Sequence, residues 1–200
     1  MLEMEQFYLE IPSLKRKKDI MDYFNELVIY NSEINGIEVF AKILDGYTFE
    51  EVLEHCLNLE DEEYAKKLGK AQMKTFLLIR KQDDKVVGAL NIRWNLPEKM
   101  KQFGGNIGYG IRPTERRKGY NKINLYLGLI EAQKIGLEKV KLVCDTSNLG
   151  SIRTIEALGA KLIITEIDPS DGILTSVYLI DVNETINEYK ENFKIWLYKY

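Results

Sequence analysis

The stretch Gly108-Tyr-Gly-Ile-Arg-Pro-Thr-Glu-Arg-Arg-Lys-Gly-Tyr-Asn121 constrains this chain more than any other. It reads as a short extended run, then a basic turn, then a helix that starts near Gly119 and continues through Leu125, Leu129 and Ala132. A turn of this kind presents several backbone N–H groups at the positive end of a helix. Arg116, Arg117 and Lys118 add three cationic side chains at the same place. The expectation is an anion site, for a phosphate or pyrophosphate.

What the turn lacks narrows the ligand. There is no Gly-x-x-x-x-Gly-Lys-Ser/Thr, so the lysine and hydroxyl that a nucleoside triphosphate and its magnesium need are missing. The dinucleotide fingerprint fails as well. Gly108-x-Gly110 is followed by Pro113 where a third Gly belongs, and no acidic residue closes a strand at the expected distance.

Around this segment the hydrophobic period changes once. Up to residue 73 the chain reads as mostly helical: a short strand over 4–11, then Ser13 as N-cap of a helix with Ile20, Met21, Phe24, Leu27 and Val28 on one stripe. Thr48-Phe-Glu-Glu51 has the spacing of a capping box. From Thr75 strands take over, at 76–80 and 86–93 as a hairpin and then at 105–111, 139–144 and 161–166. Helices at 119–135 and 147–158 lie between the later strands. This order predicts a mixed α/β (α+β) fold, with a central sheet antiparallel at its start and parallel around the phosphate site, flanked by helices. Residues 174–181 read as a strand and 193–200 as a final strand.

Composition excludes several classes. With 200 residues and 45% hydrophobic content, the chain is sized for one compact domain. Its net charge of −3 is slight and mixed in sign, which argues against a nucleic-acid surface. No run approaches eighteen apolar residues, so neither a membrane span nor a signal peptide is expected. Cys56, Cys144 and the single His55 make no metal-ligand spacing. A reducing, cytoplasmic setting is the expectation.

Taken together, these residues resemble the Gcn5-related N-acetyltransferase (GNAT) family. Its signature, Arg/Gln-x-x-Gly-x-Gly/Ala at the helix that holds the coenzyme A pyrophosphate, is matched by Arg116-Arg117-Lys118-Gly119-Tyr120-Asn121. Ile111-Arg112-Pro113 matches the end of the family's fourth strand. Asn148, Ser151 and Gly159 match its next helix, and the likeness covers roughly residues 76–164. The resemblance implies one acetyltransferase-like domain, divided into a helical acceptor-side region (1–73), a cofactor-binding core (74–166) and a C-terminal part (167–200). It also implies acetyl-coenzyme A as acyl donor, a small-molecule or peptide amine as acceptor, and an N-acetyltransferase working by direct attack in a ternary complex. Implied cofactor contacts are Gly110, Ile111, Arg116, Arg117, Lys118, Gly119, Tyr120, Asn121, Asn148 and Ser151. The oxyanion donor would be the backbone N–H of Gly110 or Ile111, beside a bulge marked by Gly108 and Gly110.

The departures bear on chemistry. Asn121 stands where Gly or Ala is usual. Arg117 replaces a common Gly, which suggests that this backbone position is unstrained. Ile155 occupies the place of the family's Tyr general acid, and Asn106 lies where relatives carry a Glu. Tyr109 and Asp145 are the remaining candidates for proton handling, although Tyr109 reads equally as a core aromatic and Asp145 as a helix cap. Asn91 and Arg93 are either acceptor contacts or solvated strand residues. Two alternatives stay open: a non-catalytic acyl-coenzyme A-binding module, and an enzyme using another acyl-coenzyme A. Relatives often form homodimers, and the aromatic tail 193–200 is the candidate interface here.

Overall fold

The computed structural model describes residues 5–198. Strands β1 (Phe7–Glu10), β2 (Gln72–Arg80), β3 (Lys85–Trp94) and β4 (Ile107–Ile111) form one antiparallel sheet in that order. Strands β5 (Lys139–Asp145), β6 (Lys161–Ile167) and β7 (Leu174–Asp181) form a second, in the order β5-β7-β6. Helices α1 (Lys17–Ile29), α2 (Phe49–Asn58) and α3 (Glu62–Lys67) precede the hairpin. Helices α4 (Tyr120–Ile135), α5 (Leu149–Glu156) and α6 (Val182–Phe193) follow β4, β5 and β7.

The hairpin is the spine because its strands are apolar on both faces. Leu77 and Ile79 of β2 pack with Val86 and Ala89 of β3 against Ile20, Phe24 and Leu27 of α1 and Val52, Leu53 and Cys56 of α2. Phe76, Leu78, Val87, Leu90 and Ile92 face the other way, onto Leu125, Leu127 and Leu129 of α4. Alternation with period two sends successive side chains to opposite faces. Each fully buried Leu or Ile contributes about 1.5–3 kcal/mol, so both helical layers are held on one sheet. The capping box forms as read: Thr48 Oγ1 accepts from Glu51 N at 3.3 Å, and Thr48 N donates to Glu51 Oε2 at 2.8 Å. Ser13, by contrast, makes no side-chain cap. A 3-10 turn, Leu14–Arg16, intervenes before α1 begins.

Three expectations change. The registered strand pairs are all antiparallel, so the parallel pairing expected around the cofactor site is not among them. The neighbours there, β4 and β5, part instead, and they are tied at one end by Asn106, whose N–H donates to Lys141 O at 2.7 Å and whose Oδ1 accepts from Lys141 N at 2.8 Å. Second, β4 carries no bulge, because its register with β3 runs unbroken from Gly88↔Ile111 to Ile92↔Ile107. Its glycines allow close packing instead: a Cβ on Gly110 would lie 2.6 Å from Asn35 O.

Third, the C-terminal segment is helical. Asp181 caps α6 by accepting from Glu184 N at 3.1 Å, and Val182, Ile186, Tyr189 and Phe193 recur at helical spacing onto the core. Phe193 stacks on Tyr126 with ring centroids 4.4 Å apart. A 3-10 turn (Lys194–Trp196) follows, and the expected last strand reduces to one bridge between Leu197 and Phe7. The described part of the tail therefore packs much of its aromatic surface within its own chain. Met4, in the first strand as read, and Lys199 and Tyr200, in the last, lie outside the described residues. Among the described residues, no helix is long and apolar enough to cross a membrane.

Candidate active site

The basic turn sits between a short 3-10 segment (Pro113–Glu115) and α4. Its N–H groups from residue 117 through 121 donate no hydrogen bond within the described residues; the first to do so is Lys122 N, to Gly119 O at 3.1 Å. Five successive donors at the positive end of a sixteen-residue helix form a cradle for an anion. Gly119 has φ 83° and open space where a Cβ would stand, so glycine meets both the backbone and the clearance requirements of this corner.

Arg117 also adopts a left-handed conformation, φ 64°. The expectation of an unstrained position is thus overturned. Here a non-glycine residue carries a cost of about 1–3 kcal/mol, which the surrounding turn must hold in place.

Those restraints are visible. Glu115, 4% exposed, accepts from Arg80 Nη1 at 2.8 Å, Lys85 Nζ at 2.6 Å and Lys118 Nζ at 2.7 Å. Burial alone would raise its carboxyl, but hydrogen bonds from Lys118, Lys85 and Arg80 prevail and bring it down to about 2. From the other side, Glu26 of α1 accepts from Arg112 Nε at 2.6 Å and from Thr114 N and Oγ1 at 2.8 Å each. Arg116 Nε donates to Ile111 O at 3.0 Å. Lys118 is thereby neutralised and Arg116 partly committed, and among the described residues Arg117 is the cation of the three without an ion pair or hydrogen bond. Asn121 buries its Oδ1 without a partner.

The gap between β4 and β5 begins beyond Asn106. Arg112 N donates to Val87 O across the ladder with β3. Antiparallel alternation then turns the Gly110 N–H towards β3 and the N–H groups of Tyr109 and Ile111 into the gap. Of the two expected oxyanion donors, Ile111 has the available direction. Tyr109 OH lies 2.9 Å from Ser151 Oγ of α5, and burial holds its phenol well above the ordinary range, so it is protonated at neutral pH. Cys144 of β5 lies against Ser151, its thiol also pushed up by burial. Ser151 N is held by Asn148 Oδ1 at 3.0 Å. Asp145 Oδ1 accepts from Ser147 N at 2.7 Å, which engages that carboxylate in the turn into α5. Ile155, 1% exposed, brings no polar group.

Beside β4, and reaching Val143 of β5, lies a cavity of about 500 Å³, lined in part by Glu38, Arg93, Gly105, Gly108, Val143 and Asp168. Glu38 comes from a 3-10 segment (Glu38–Asp45) and accepts from Asn91 Nδ2 and, at 3.2 Å, from Arg93 Nη2. Sequence reasoning missed Glu38, Glu115 and Cys144. Only Glu115 left a trace, as an acid inside a basic turn. Glu38 sits in a stretch with no motif. Among the described residues no group of three or more His, Cys, Asp or Glu is arranged to hold a metal.

Comparisons with known proteins agree with this geometry. A search of curated proteins finds no match. A chimera of the spermidine N-acetyltransferase SpeG from Vibrio cholerae and hSSAT superposes with TM-score 0.62 at 15% identity, over 91% of this chain and 99% of that one. The Vibrio cholerae spermidine N-acetyltransferase in complex with CoA and spermine gives 0.58 at 13%, over 91% and 99%. A Salmonella typhimurium acetyltransferase that modifies the N-terminal serine of a ribosomal subunit protein gives 0.60 at 12%, over 88% and 95%. The family model described as "Acetyltransferase (GNAT) family" matches residues 38–160, from the Glu38 segment through β4, the cradle and α5. The chain belongs to the GNAT acetyltransferase family.

Proposed function

We propose that this GNAT-type N-acetyltransferase passes an acetyl group from acetyl-coenzyme A, the family's donor, to a primary amine by direct attack in a ternary complex. The observation that carries this reading is the parted pair β4 and β5, with unpaired N–H groups along one edge and the five-donor cradle at the head of α4. Bound there, acetyl-coenzyme A supplies a thioester already activated for acyl transfer.

The chain's own groups supply the rest. The cradle and Arg117 hold the pyrophosphate. The Ile111 N–H meets the negative charge that builds on the carbonyl oxygen, a contact stronger in the transition state than before it. As the amine nitrogen bonds to the carbonyl carbon, the C–S bond breaks and the electron pair leaves on sulfur. The sulfur leaves as a thiolate, and Tyr109 OH, held protonated by burial and steadied by Ser151, donates a hydrogen bond to it without giving up its proton. The nitrogen's excess proton leaves to water.

The non-catalytic alternative is favoured by one observation, the burial of Ile155 in the hydrophobic core. Incubation with acetyl-coenzyme A and a panel of primary amines, read by thiol release and by product mass, separates the two. An acetylated amine supports the enzyme; cofactor binding without product for any amine supports the module.

A further inference from the structure

Asn124, in the second turn of α4, is 0% exposed. Its Nδ2 donates to Ala89 O of β3 at 3.0 Å and reaches Gly110 O of β4 at 3.5 Å, while its Oδ1 is buried without a partner. Those two carbonyls belong to one rung of the sheet, Ala89↔Gly110, two residues along from the rung where Arg112 N donates to Val87 O. Antiparallel alternation gives each of them a ladder bond already, on one of its two lone pairs. An amide that adds donors where acceptance is already met, and leaves its own acceptor unmet in the core, gives the fold little net stability.

We infer that Asn124 is a positioning residue for acyl transfer, fixing the Gly110–Ile111 peptide so that the Ile111 N–H stands in the gap between β4 and β5. The inference rests on the acyl-transfer reading above and deepens it. A trans peptide is planar, so its C=O and N–H point in opposite directions. The Gly110 carbonyl, held towards β3 and α4, therefore sends the Ile111 N–H away from β3. A donor on the carbonyl also polarises the whole amide and strengthens its N–H as a donor. Asn124 does both without touching the cofactor.

The approach of α4 to the sheet makes this reach possible. One turn on, a Cβ at Gly128 would lie 3.2 Å from Leu90 Cδ2 of β3, so glycine there lets the helix come close enough for a short side chain to meet strand backbone. Asn124 also follows directly on the cradle, whose last N–H belongs to residue 121. One rigid helix thus holds the pyrophosphate at its first turn and the oxyanion peptide at its second, which ties the two ends of the site together.

The test uses the full chain with acetyl-coenzyme A isotopically labelled at the acetyl carbonyl, bound without acceptor, and reads the carbonyl stretch by infrared difference spectroscopy. A hydrogen bond to that oxygen lowers the frequency, so the wild-type band should lie below that of free cofactor. Asn124→Ala should return it most of the way. The kcat of this variant with a reactive primary amine should fall about tenfold, less than for outright loss of an oxyanion donor, and its affinity for acetyl-coenzyme A should change less than about threefold. Its melting temperature should stay near that of wild type, because the lost hydrogen bonds are offset by removal of the unmet Oδ1. Asn124→Leu, which keeps the branched skeleton and fills the space, should move band and kcat in the same directions, which rules out a cavity as the cause. An unmoved band in both variants overturns the assignment, with or without a fall in kcat, and so does a wild-type band equal to that of free cofactor. Wild type that binds acetyl-coenzyme A but acetylates no amine overturns the acyl-transfer reading alone, and the band still decides whether Asn124 governs the Ile111 contact.

Discussion

The basic turn and the cavity beside Glu38 both adjoin β4, but they are built in opposite ways. The turn is made of consecutive residues, 113–121, and its work is done by backbone N–H groups whose placement follows from glycine and helix geometry. The cavity gathers residues from separated stretches: Glu38 before α2, Arg93 on β3, Gly108 on β4, Asp168 after β6. The turn is a local arrangement, and the role proposed for it, holding a pyrophosphate, is a general one. The cavity is a tertiary arrangement, and nothing in the local sequence announces it.

The contrast breaks if the turn proves not to be self-sufficient, and the largest expected effect tests that. Glu115 offsets Arg80, Lys85 and Lys118 together, so Glu115→Ala leaves three cations facing one another. Removing one partner of a buried ion pair costs about 3–5 kcal/mol, and partial exposure of the two lysines should reduce this to about 2–3 kcal/mol. Chemical denaturation measures it. The sign with pH follows from a carboxyl lowered from 4.5 to about 2 on folding. Its contribution is fully present above pH 4.5 and is lost as pH falls towards 2. The wild-type stability curve should therefore fall more steeply than that of Glu115→Gln between pH 4.5 and 2, and parallel curves would remove Glu115 from the account.

Second in size is Tyr109→Phe, which deletes the hydroxyl facing Ser151. Loss of the hydrogen bond to the leaving sulfur should lower kcat by about tenfold to a hundredfold with little change in acetyl-coenzyme A binding. An unchanged kcat takes Tyr109 out of the chemistry. Because no strong base among the described residues is placed on the gap, kcat/KM should also rise from pH 6.5 to about 9 as the amine loses its proton, whose ordinary pKa lies near 10.4. A plateau above pH 7 would point to a base placed elsewhere.

The smallest effect is also the most local. Arg117→Gly should stabilise the free protein by about 1 kcal/mol, because glycine relaxes a left-handed backbone. It should weaken acetyl-coenzyme A binding only about threefold, since an exposed cation is screened and the N–H groups remain. A loss of stability would mean that the Arg117 side chain makes a contact worth more than the strain.

The legible parts share one property. Thr48 and Glu51, the strand–turn–strand of β2 and β3, and the turn with α4 are each specified by residues close in sequence, so spacing alone locates them. The likeness to the GNAT family rested on the same local runs. What was misread depends on partners far along the chain. The aromatic tail alternates in a way that suits a strand, but Phe193 closes α6 on Tyr126, and the described residues after it make a 3-10 turn and one bridge. Gly108 and Gly110 suggested a bulge because glycine in a strand allows either a bulge or a close approach. Only the packing of Asn35 and Glu38 decides between them. The strain at Arg117 was hidden because its restraints, Glu26 and Arg80, lie far upstream in sequence.

The central claim is that the N–H groups of residues 117–121 bind the cofactor's pyrophosphate, and titration of acetyl-coenzyme A into wild type and Gly119→Val, with thermal melts of both, tests it most directly. The account predicts saturable binding to wild type and about 2.7 kcal/mol of added stability at a hundredfold excess over the dissociation constant. In Gly119→Val the left-handed corner at φ 83° no longer suits the residue and a side chain stands in the open space, so affinity should fall by at least about tenfold, far beyond the loss of unliganded stability. Equal affinity in both proteins, or no binding to wild type at millimolar ligand, would contradict it.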